Sequence, residues 1–306
     1  MKATGRTLAV IGGCGLGLLL LWIAVTASPG AVNGPSGRLQ VVATFFPLYD
    51  FARNIGGDRV TVSLLVPQGA ELHDWEPTPG AIRRADAAAV LIYNGVGLEP
   101  WIDQVKQALR PGIRFVDTSE GLELLALEEG ENDPHLWLDP VNAKHQVSQI
   151  RDALATTDPT NKDLYQANAE AYLARLDALH NEIQSSLAKC SRKEFISFHE
   201  SFSYFAKRYG LSQLYLLGGG EEEPSPQDMA RVIETAKEKG IQVVYSEPLR
   251  DPRLAEVVAD QLSGGTILVL DPLEEVSQDE IQAGKEYLGS MQQNLRNLMK
   301  GLDCRP

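Results

Sequence analysis

The chain has 306 residues, which is enough for two domains of ordinary size, each with its own core. With 43% hydrophobic and 23% charged residues, its composition is that of a folded globular protein and excludes disorder over most of the length. The formal net charge of −13 disfavours nucleic acid as a partner, because the phosphate backbone would repel such a surface. An acidic field also concentrates small cations, although most acidic surfaces only keep a protein soluble.

The N-terminal segment has the pattern of an export signal. Lys2 and Arg6 are followed by a stretch without any charged residue, 7–37, in which residues 16–25 are almost wholly apolar. This pattern predicts an exported protein that is periplasmic or attached to the outer face of the cytoplasmic membrane.

Several fates of this leader are open. Cleavage after Ala27 would remove residues 1–27 as a signal peptide, whereas an uncleaved leader would stay as an N-terminal membrane anchor. Lipidation at Cys14 is less favoured, because the main apolar run follows this cysteine instead of preceding it. Residues 28–37 are rich in Pro, Gly and Ser and predict a flexible tether.

Export places the folded part in an oxidising compartment, where Cys190 and Cys304 are the remaining thiols. We expect them to form a disulfide, which in the chain-entropy model would stabilise the protein by roughly 4 to 5 kcal/mol. The alternative is two unpaired thiols, because the sequence does not fix the distance between their Cβ atoms.

In the first half, short β-branched runs alternate with amphipathic helical stretches, which is typical of parallel sheets covered by helices. Strands are predicted at 39–43, 60–66, 88–93 and 113–117, with helices near 47–55, 78–86 and 99–110. Together they predict an N-terminal α/β lobe over residues 38–157.

A single long helix is predicted next, within a linking segment at 158–189. The sequence from Pro159 to Ala188 has no Gly or further Pro, and its apolar residues recur at intervals of three and four. That apolar face consists of Tyr165, Ala169, Tyr172, Leu176, Leu179, Ile183 and Leu187. Such a helix would be about 42 Å long and would join two lobes rigidly.

The alternation then restarts and predicts a C-terminal α/β lobe over residues 190–306. Its strands are predicted at 194–198, 212–217, 241–246 and 266–270, with helices near 201–209, 226–239, 252–263 and 279–300. The predicted fold class is therefore α/β: two lobes, each with a mostly parallel sheet flanked by helices, joined by one long rigid helix.

Four polar residues lie where ligands gather in such folds. His73 and His135 lie in loops of the first half, and His199 and Asp271 end strands of the second half. Because the carboxyl ends of parallel strands share one edge of a sheet, the four side chains are expected to converge between the lobes. His145 and His180 fall within predicted helices and are interpreted as surface or packing residues.

Three imidazoles and one carboxylate form a four-coordinate shell that suits Zn²⁺, with Mn²⁺ as the alternative. Metal-bound imidazoles usually donate their other N–H to a carboxylate or carbonyl. Glu247, Glu200, Asp139 and Glu71 are the candidates for that supporting role, and the sequence does not rank them. Trp75 and Trp137 flank two of the expected ligands and are candidates for excluding water.

Several segments resemble the zinc- and manganese-binding solute-receptor family of bacterial ABC importers. They are LHDWEPTP (72–79), NDPHLWLDP (132–140), ISFHESFSYFAKRYGL (196–211), EEEPSPQDM (221–229), VYSEP (244–248) and LVLDPL (268–273), in collinear order over about residues 39 to 300.

The resemblance implies a two-lobed receptor, monomeric and without enzymatic activity, that passes its metal to an ABC permease with an ATPase subunit. It also implies metal ligands at His73, His135, His199 and Asp271. Members that prefer manganese tend to have a carboxylate at the position of His199, which favours zinc here. Unlike many zinc members, the chain has a short acidic loop without a histidine cluster at 119–133.

Two other functions are open from the residues. A zinc-dependent hydrolase could use Glu200 as its base, but catalytic zinc keeps one open position, which Asp271 would close. A metal-stabilised surface adhesin would differ from a receptor by unfolding when its metal is removed.

Overall fold

The computed structural model describes residues 37–70, 72–73, 75–127, 130–217 and 224–305. The predicted leader (1–27) and all but the last residue of the predicted tether (28–37) lie outside the described residues. Within the described ranges, no helix has the length and apolar character needed to cross a bilayer.

The first four strands form a parallel sheet in the order β2-β1-β3-β4. They are β1 (Leu39–Ala43), β2 (Val60–Leu64), β3 (Val90–Tyr93) and β4 (Arg114–Asp117), and the helices of this half are α1 (Phe46–Gly56), α2 (Pro79–Asp86), α3 (Ile102–Ala108) and α4 (Pro140–Thr157). β1 and β3 are buried almost throughout, as expected for central strands covered on both faces.

The second parallel sheet repeats this arrangement in the order β6-β5-β7-β8. Its strands are β5 (Glu194–His199), β6 (Ser212–Leu217), β7 (Val243–Ser246) and β8 (Thr266–Val269). In each sheet the first strand lies between the second and the third, so consecutive connections leave in opposite directions. Each sheet therefore has a switch point at the carboxyl ends of its two central strands, where doubly wound folds bind ligands.

The helices that follow β5 begin and end near the predicted positions, with one exception. They are α6 (Ser203–Tyr209), α7 (Pro226–Lys239), α8 (Arg253–Asp260), α9 (Gln278–Gln282) and α10 (Tyr287–Gly301). The single helix predicted over 279–300 is wrong, because α9 ends before Gly284, whose φ of +79° cannot continue a helix. A reciprocal pair of hydrogen bonds between Ser277 and Glu280 caps the start of α9.

The long linking helix is confirmed as α5 (Lys162–Leu187), 26 residues preceded by a 3₁₀ turn at Pro159–Asn161. Its buried residues are the predicted apolar set, Tyr165, Ala169, Tyr172, Leu176, Leu179, Ile183 and Leu187. This face packs against α1 and α4 of the first half and against α6 and α10 of the second. The predicted fold class is confirmed by these two parallel sheets and the helix between them.

The ends of α5 and α10 are joined by the predicted disulfide, Cys190–Cys304. One apolar core extends from β1 to the end of α10, and a smaller one lies between α7, α8 and the second sheet. Because the larger core spans both sheets, it does not mark the lobe boundaries 38–157, 158–189 and 190–306, which stay a prediction.

Candidate metal centre

Three imidazoles and one carboxylate converge at the carboxyl edges of the two sheets: His73, His135, His199 and Glu274. Each offers one ligand atom, and these atoms all lie within 4.8 Å of one another. His73 lies in the loop after β2, His135 between β4 and α4, His199 at the end of β5, and Glu274 after β8. Two ligands thus come from each half of the chain.

Glu274 lies at the middle of the cluster. Its Oε1 atom is 2.9 Å from Nε2 of His135 and 3.4 Å from Nε2 of His199, and its Oε2 atom is 3.8 Å from Nε2 of His73. Oε1 is buried and receives no aligned hydrogen bond from the described residues. The Nε2 atoms of His135 and His199 are themselves 3.3 Å apart. These atoms are close enough together to coordinate one cation.

His135 is held from two sides by Asp133, whose Oδ1 atom accepts both the His135 backbone N–H at 2.8 Å and Nδ1–H at 2.7 Å. Both residues are buried. Because Nδ1 carries the donated proton, the neutral ring presents the lone pair of Nε2 to the centre.

His199 is held in the same way by Glu247, whose Oε1 atom lies 2.5 Å from Nδ1 and 3.3 Å from the His199 backbone nitrogen. Glu247 directly follows β7, the neighbour of β5 in the sheet, so the two strand ends bring the pair together. In the neutral ring, the Nε2 lone pair of His199 would likewise face the centre.

The electrostatics of the site are those of a cation-binding cluster. Burial opposes protonation of His135, but the carboxylates of Asp133 and Glu274 outweigh it and raise its pKa to about 9. Burial likewise opposes protonation of His199, yet Glu247 and Glu274 raise its pKa well above the ordinary value. Burial favours the neutral form of Glu274, but His199 and His135 hold its pKa well below its usual range.

His73 differs from the other ligands in exposure. Its side chain is 41% exposed, whereas those of His135 and Glu274 are 5% and 3% exposed. Its contact with Glu274, at 3.8 Å, is also the longest of the three imidazole contacts.

A comparison with known families decides where the chain belongs. The profile described as zinc-uptake complex component A, periplasmic (ZnuA), matches residues 41–301. The chain is a member of the ZnuA family.

Two relatives within the ZnuA family illustrate the match. The high-affinity zinc uptake system protein ZnuA of Bacillus subtilis is 34% identical over 301 residues, which cover 93% of this chain and 94% of the relative. The zinc-binding lipoprotein AdcA of Streptococcus pneumoniae is 31% identical over 87% of this chain, but the chain spans only 56% of that protein.

Solved structures of similar proteins have the same fold. The Zn(II)-bound ZnuA-like domain of Streptococcus pneumoniae AdcA aligns with a TM-score of 0.77 at 32% identity, covering 87% of this chain and 100% of the domain. The laminin binding protein Lmb of Streptococcus agalactiae, described as bifunctional with adhesin and metal transporting activity, aligns with a TM-score of 0.80 at 30% identity. That alignment covers 87% of this chain and 99% of Lmb.

The predicted fourth ligand, Asp271, does not join the cluster. Its Oδ2 atom accepts from Nζ of Lys285 at 2.8 Å, and its Oδ1 atom accepts the backbone N–H of Leu273 at 2.8 Å. Asp271 therefore neutralises a largely buried lysine and shapes the turn after β8. The carboxylate that reaches the three imidazoles is Glu274, three residues further on.

The predicted supporting carboxylates have different positions. Glu247 contacts a ligand, as described above, whereas Asp139 caps α4 through the N–H of Val141 and pairs with Arg208 at 2.6 Å. The backbone N–H of Glu200 donates to the carbonyl of Leu217. Glu71 lies outside the described residues.

Sequence reasoning missed Asp133 and Glu274. Asp133 lies two residues before His135, a spacing that lets a carboxylate accept both the backbone N–H and the ring N–H of the histidine. Glu274 directly follows the segment LVLDPL that carries the family resemblance. Considering every carboxylate of that turn, and not only the first after the strand, would have included it.

The loop that carries His135 is held by residues of the second half of the chain. The Tyr204 hydroxyl donates to the carbonyl of Asp133 at 2.9 Å, and the Trp137 indole N–H donates to the carbonyl of Pro272 at 2.7 Å. Trp137 is fully buried with its ring centroid 5.3 Å from that of His135, so it excludes water from one side of this ligand. Trp75 packs instead on Trp101, with ring centroids 4.6 Å apart.

The remaining histidines lie away from the centre. His145 lies in α4, and its Nε2 atom is 2.8 Å from the carbonyl oxygen of Glu120. His180 lies in α5, and its Nδ1 atom is 3.0 Å from the hydroxyl of Tyr209. Neither belongs to the four-residue cluster, and they provide matched controls for the three that do.

Proposed function

We propose that this chain is an extracytoplasmic receptor that binds one Zn²⁺ through His73, His135, His199 and Glu274 and delivers it to the permease of an ABC importer. The observation that carries the proposal is the convergence of three imidazole nitrogens and one carboxylate oxygen within 4.8 Å at the seam between the two sheets. Membership of a zinc-uptake family supports it.

Zinc is favoured over manganese by the chemistry of these groups. Three nitrogen donors and one oxygen donor match the tetrahedral preference of Zn²⁺, whereas Mn²⁺ prefers a larger share of oxygen ligands. Asp133 and Glu247 accept the Nδ1–H groups of two imidazoles and so increase the basicity of the Nε2 donors. The AdcA domain that aligns with this chain is described as bound to Zn(II).

A receptor fits the donor set better than a hydrolase. Catalytic zinc usually has three protein ligands and one open water position, and with Glu274 the shell has four protein ligands. We infer that the chain has no enzymatic activity. The adhesin activity described for Lmb belongs to that protein, and no contact within the described residues of this chain argues for it.

Loading follows from the unequal burial of the ligands. His135 and Glu274 are buried and His199 is largely buried, and carboxylates hold the two imidazoles, so these three ligands form a preorganised part of the site. His73 is the accessible ligand and completes the shell from the first half of the chain. The receptor is proposed to act as a monomer outside the cytoplasmic membrane, with the permease and its ATPase subunit as partners.

Equilibrium titration of the metal-stripped protein tests this function. In competition with a chromophoric chelator, one Zn²⁺ per chain is expected to bind, and Mn²⁺ is expected to compete weakly. His135→Ala is expected to abolish tight binding, whereas His180→Ala is expected to bind as the wild type does. Equal zinc affinity of these two variants, or no binding by the wild-type protein, would refute the proposal.

Transport needs its own experiment. In cells that lack the gene, growth under zinc limitation should be restored by the wild-type chain and by His180→Ala, but not by His135→Ala. Restoration by His135→Ala at equal protein level would contradict delivery through this centre.

A further inference from the structure

At the switch point of the first sheet, a buried glutamate fills the place where doubly wound folds bind a ligand. Glu99 is 2% exposed. Its Oε1 atom accepts the hydroxyl of Thr44 at 2.6 Å and the backbone N–H of Asn94 at 2.8 Å, and its Oε2 atom accepts the backbone N–H of Gly95 at 3.1 Å. Thr44 directly follows β1 and Asn94 directly follows β3, so the carboxylate joins the two central strands.

The burial of this carboxylate is costly. Burial raises the pKa of Glu99 to about 7 although three hydrogen bonds oppose the shift, and among the described residues no lysine or arginine is found to form an ion pair with it. A buried carboxylate without a cationic partner usually has a specific role, because an apolar residue in its place avoids the desolvation cost.

The turn that Glu99 holds is strained. Gly95, Val96 and Gly97 all have positive φ, at 84°, 55° and 80°. A β-branched residue such as Val96 rarely adopts this region, at a cost of roughly 1–3 kcal/mol. A side chain at Gly95 would also meet Oδ1 of Asp117 at 2.4 Å. The hydrogen bonds from the Asn94 and Gly95 N–H groups to Glu99 offset this strain.

The strained turn presents the side chain of Asn94 to the loop that carries His135. Nδ2 of Asn94 donates to the carbonyl of Pro134 at 2.9 Å, and Oδ1 accepts from Nε2 of Gln146 at 3.0 Å. The Pro134 carbonyl and the His135 N–H belong to one planar peptide unit. Asn94 holds its carbonyl and Asp133 holds its N–H, so the orientation of this plane is fixed from both ends.

We propose that Glu99 is a positioning residue for metal binding, which acts through Asn94 to fix the peptide plane before His135. The inference rests on the proposed function and places a positioning residue at the first sheet, two hydrogen bonds and one peptide bond away from His135. Among the described residues, no hydrogen bond or ion pair is found between Glu99 and the metal ligands or the carboxylates that support them.

Two variants separate the steps of this path. Glu99→Gln keeps the shape of the side chain but places an amide N–H₂ against a group that also donates. Asn94→Ala keeps the backbone N–H that Glu99 accepts and removes the side-chain hydrogen bonds with Pro134, Gln146 and Gly95. Asp86→Asn is the matched control, because Asp86 accepts the backbone N–H of Arg110 at 2.6 Å elsewhere in the same half of the chain.

Zinc affinity by chelator competition and the visible absorption spectrum of the Co²⁺-substituted protein are the readouts. Glu99→Gln and Asn94→Ala are each expected to weaken zinc binding about tenfold, at the lower end of the effect of residues that orient metal ligands. Both are expected to shift the Co²⁺ spectrum, which reports ligand geometry, and the double variant is expected to lose far less than the product of the two single effects. Asp86→Asn should change neither readout.

The outcomes are distinct. The inference is overturned if Glu99→Gln and Asn94→Ala fold and keep both the wild-type zinc affinity and the wild-type Co²⁺ spectrum. Lowered resistance to urea in these variants would then assign Glu99 to stability alone, and the proposed function would stay intact. If Glu99→Gln does not fold, Asn94→Ala decides in the same two ways. Failure of the wild-type protein to bind either metal would overturn the proposed function, and this inference with it.

Discussion

The two sides of the metal centre are built differently. On the largely buried side, the ligand atoms of His135, His199 and Glu274 lie within 3.4 Å of one another, and these side chains are 5%, 16% and 3% exposed. On the other side, His73 is 41% exposed and approaches Glu274 only to 3.8 Å. The buried side has its geometry before any ion arrives, and the exposed side can exchange with water.

We expect this difference to separate two properties of the site, its selectivity for one metal and the rate at which it exchanges that metal. Preorganised donors lower the entropic cost of binding and fix the geometry that distinguishes one metal from another. An exposed imidazole can leave the ion without disturbing a core, which gives bound metal a route out. The buried side is therefore expected to set affinity and selectivity, and His73 to set the rate of exchange.

Replacing one imidazole on each side should give the largest difference in zinc affinity. A zinc site of roughly 12 kcal/mol shared by four ligands implies about 3 kcal/mol for each, or about 150-fold in affinity. His199→Ala is expected to lose about that much or more, and His73→Ala about tenfold, because water replaces an exposed ligand easily. Zinc titrations and stopped-flow dissociation check this, and an equal loss in both variants would remove the distinction between the two sides.

Replacing Glu274 and Asp271, each by its amide, tests which carboxylate after β8 is the metal ligand. Glu274→Gln is expected to weaken zinc binding about a hundredfold, because the charged donor is lost. Asp271→Asn is expected to leave affinity unchanged and to lower the free energy of unfolding by about 1–3 kcal/mol, since Lys285 loses one of the two carboxylates that it contacts among the described residues. A larger affinity loss in Asp271→Asn than in Glu274→Gln would reverse the assignment.

The carboxylates behind the buried imidazoles should have a smaller effect. Glu247→Gln and Asp133→Asn are each expected to weaken zinc binding by about 10- to 100-fold, because the rings lose their charged acceptors. Asp139→Asn is the control, since Asp139 is as buried but caps α4 and pairs with Arg208. An affinity loss in the control equal to that in Glu247→Gln would show that loop stability and not ligand support governs binding.

Proton linkage gives a further test, because zinc affinity changes by about one decade per pH unit for each proton that binding displaces. The pKa of His135 is raised to about 9 and that of His199 is raised as well, so zinc binding near pH 7 should release about two protons. Calorimetry in buffers of different ionisation enthalpy measures that number. Release of no protons would show that the metal-free imidazoles are neutral.

The same raised pKa values predict how the metal-free protein responds to pH. Protonated His135 stabilises the folded state fully below about pH 6.5, the unfolded value, and this contribution disappears as the pH rises through about 9. Urea unfolding of the metal-free protein should therefore show falling stability from pH 6.5 to 9. The zinc-loaded protein, whose imidazoles carry no Nε2 proton, should not share this decline.

Much of the fold follows from the sequence because the signals are local. The β-branched runs predicted all eight strands within the described residues, and the apolar period of α5 predicted each of its buried side chains. The helix predicted at 279–300 failed at Gly284, where a backbone conformation rather than a hydrophobic pattern ends α9.

The site was predicted less completely, for a physical reason. The three histidines stand alone in their loops, so their residue type identified them. Asp271, Glu274 and Glu275 lie within five residues; Lys285 pairs with Asp271 and Arg250 pairs with Glu275, whereas Glu274 faces the imidazoles. Lys285 is 14 residues away from Asp271, and nothing local in the sequence reveals that contact.

The length of α5 and its contacts with both halves of the chain have a consequence for metal delivery. This helix, about 39 Å long, packs on helices from both halves and is tied to the end of α10 by a covalent bridge. Such a helix is expected to resist large rotations of one sheet against the other, so we expect the two sheets to move little relative to each other when the metal binds. On that expectation, the permease would distinguish a loaded from an empty receptor by the few exposed atoms around His73, and not by a large movement of the sheets.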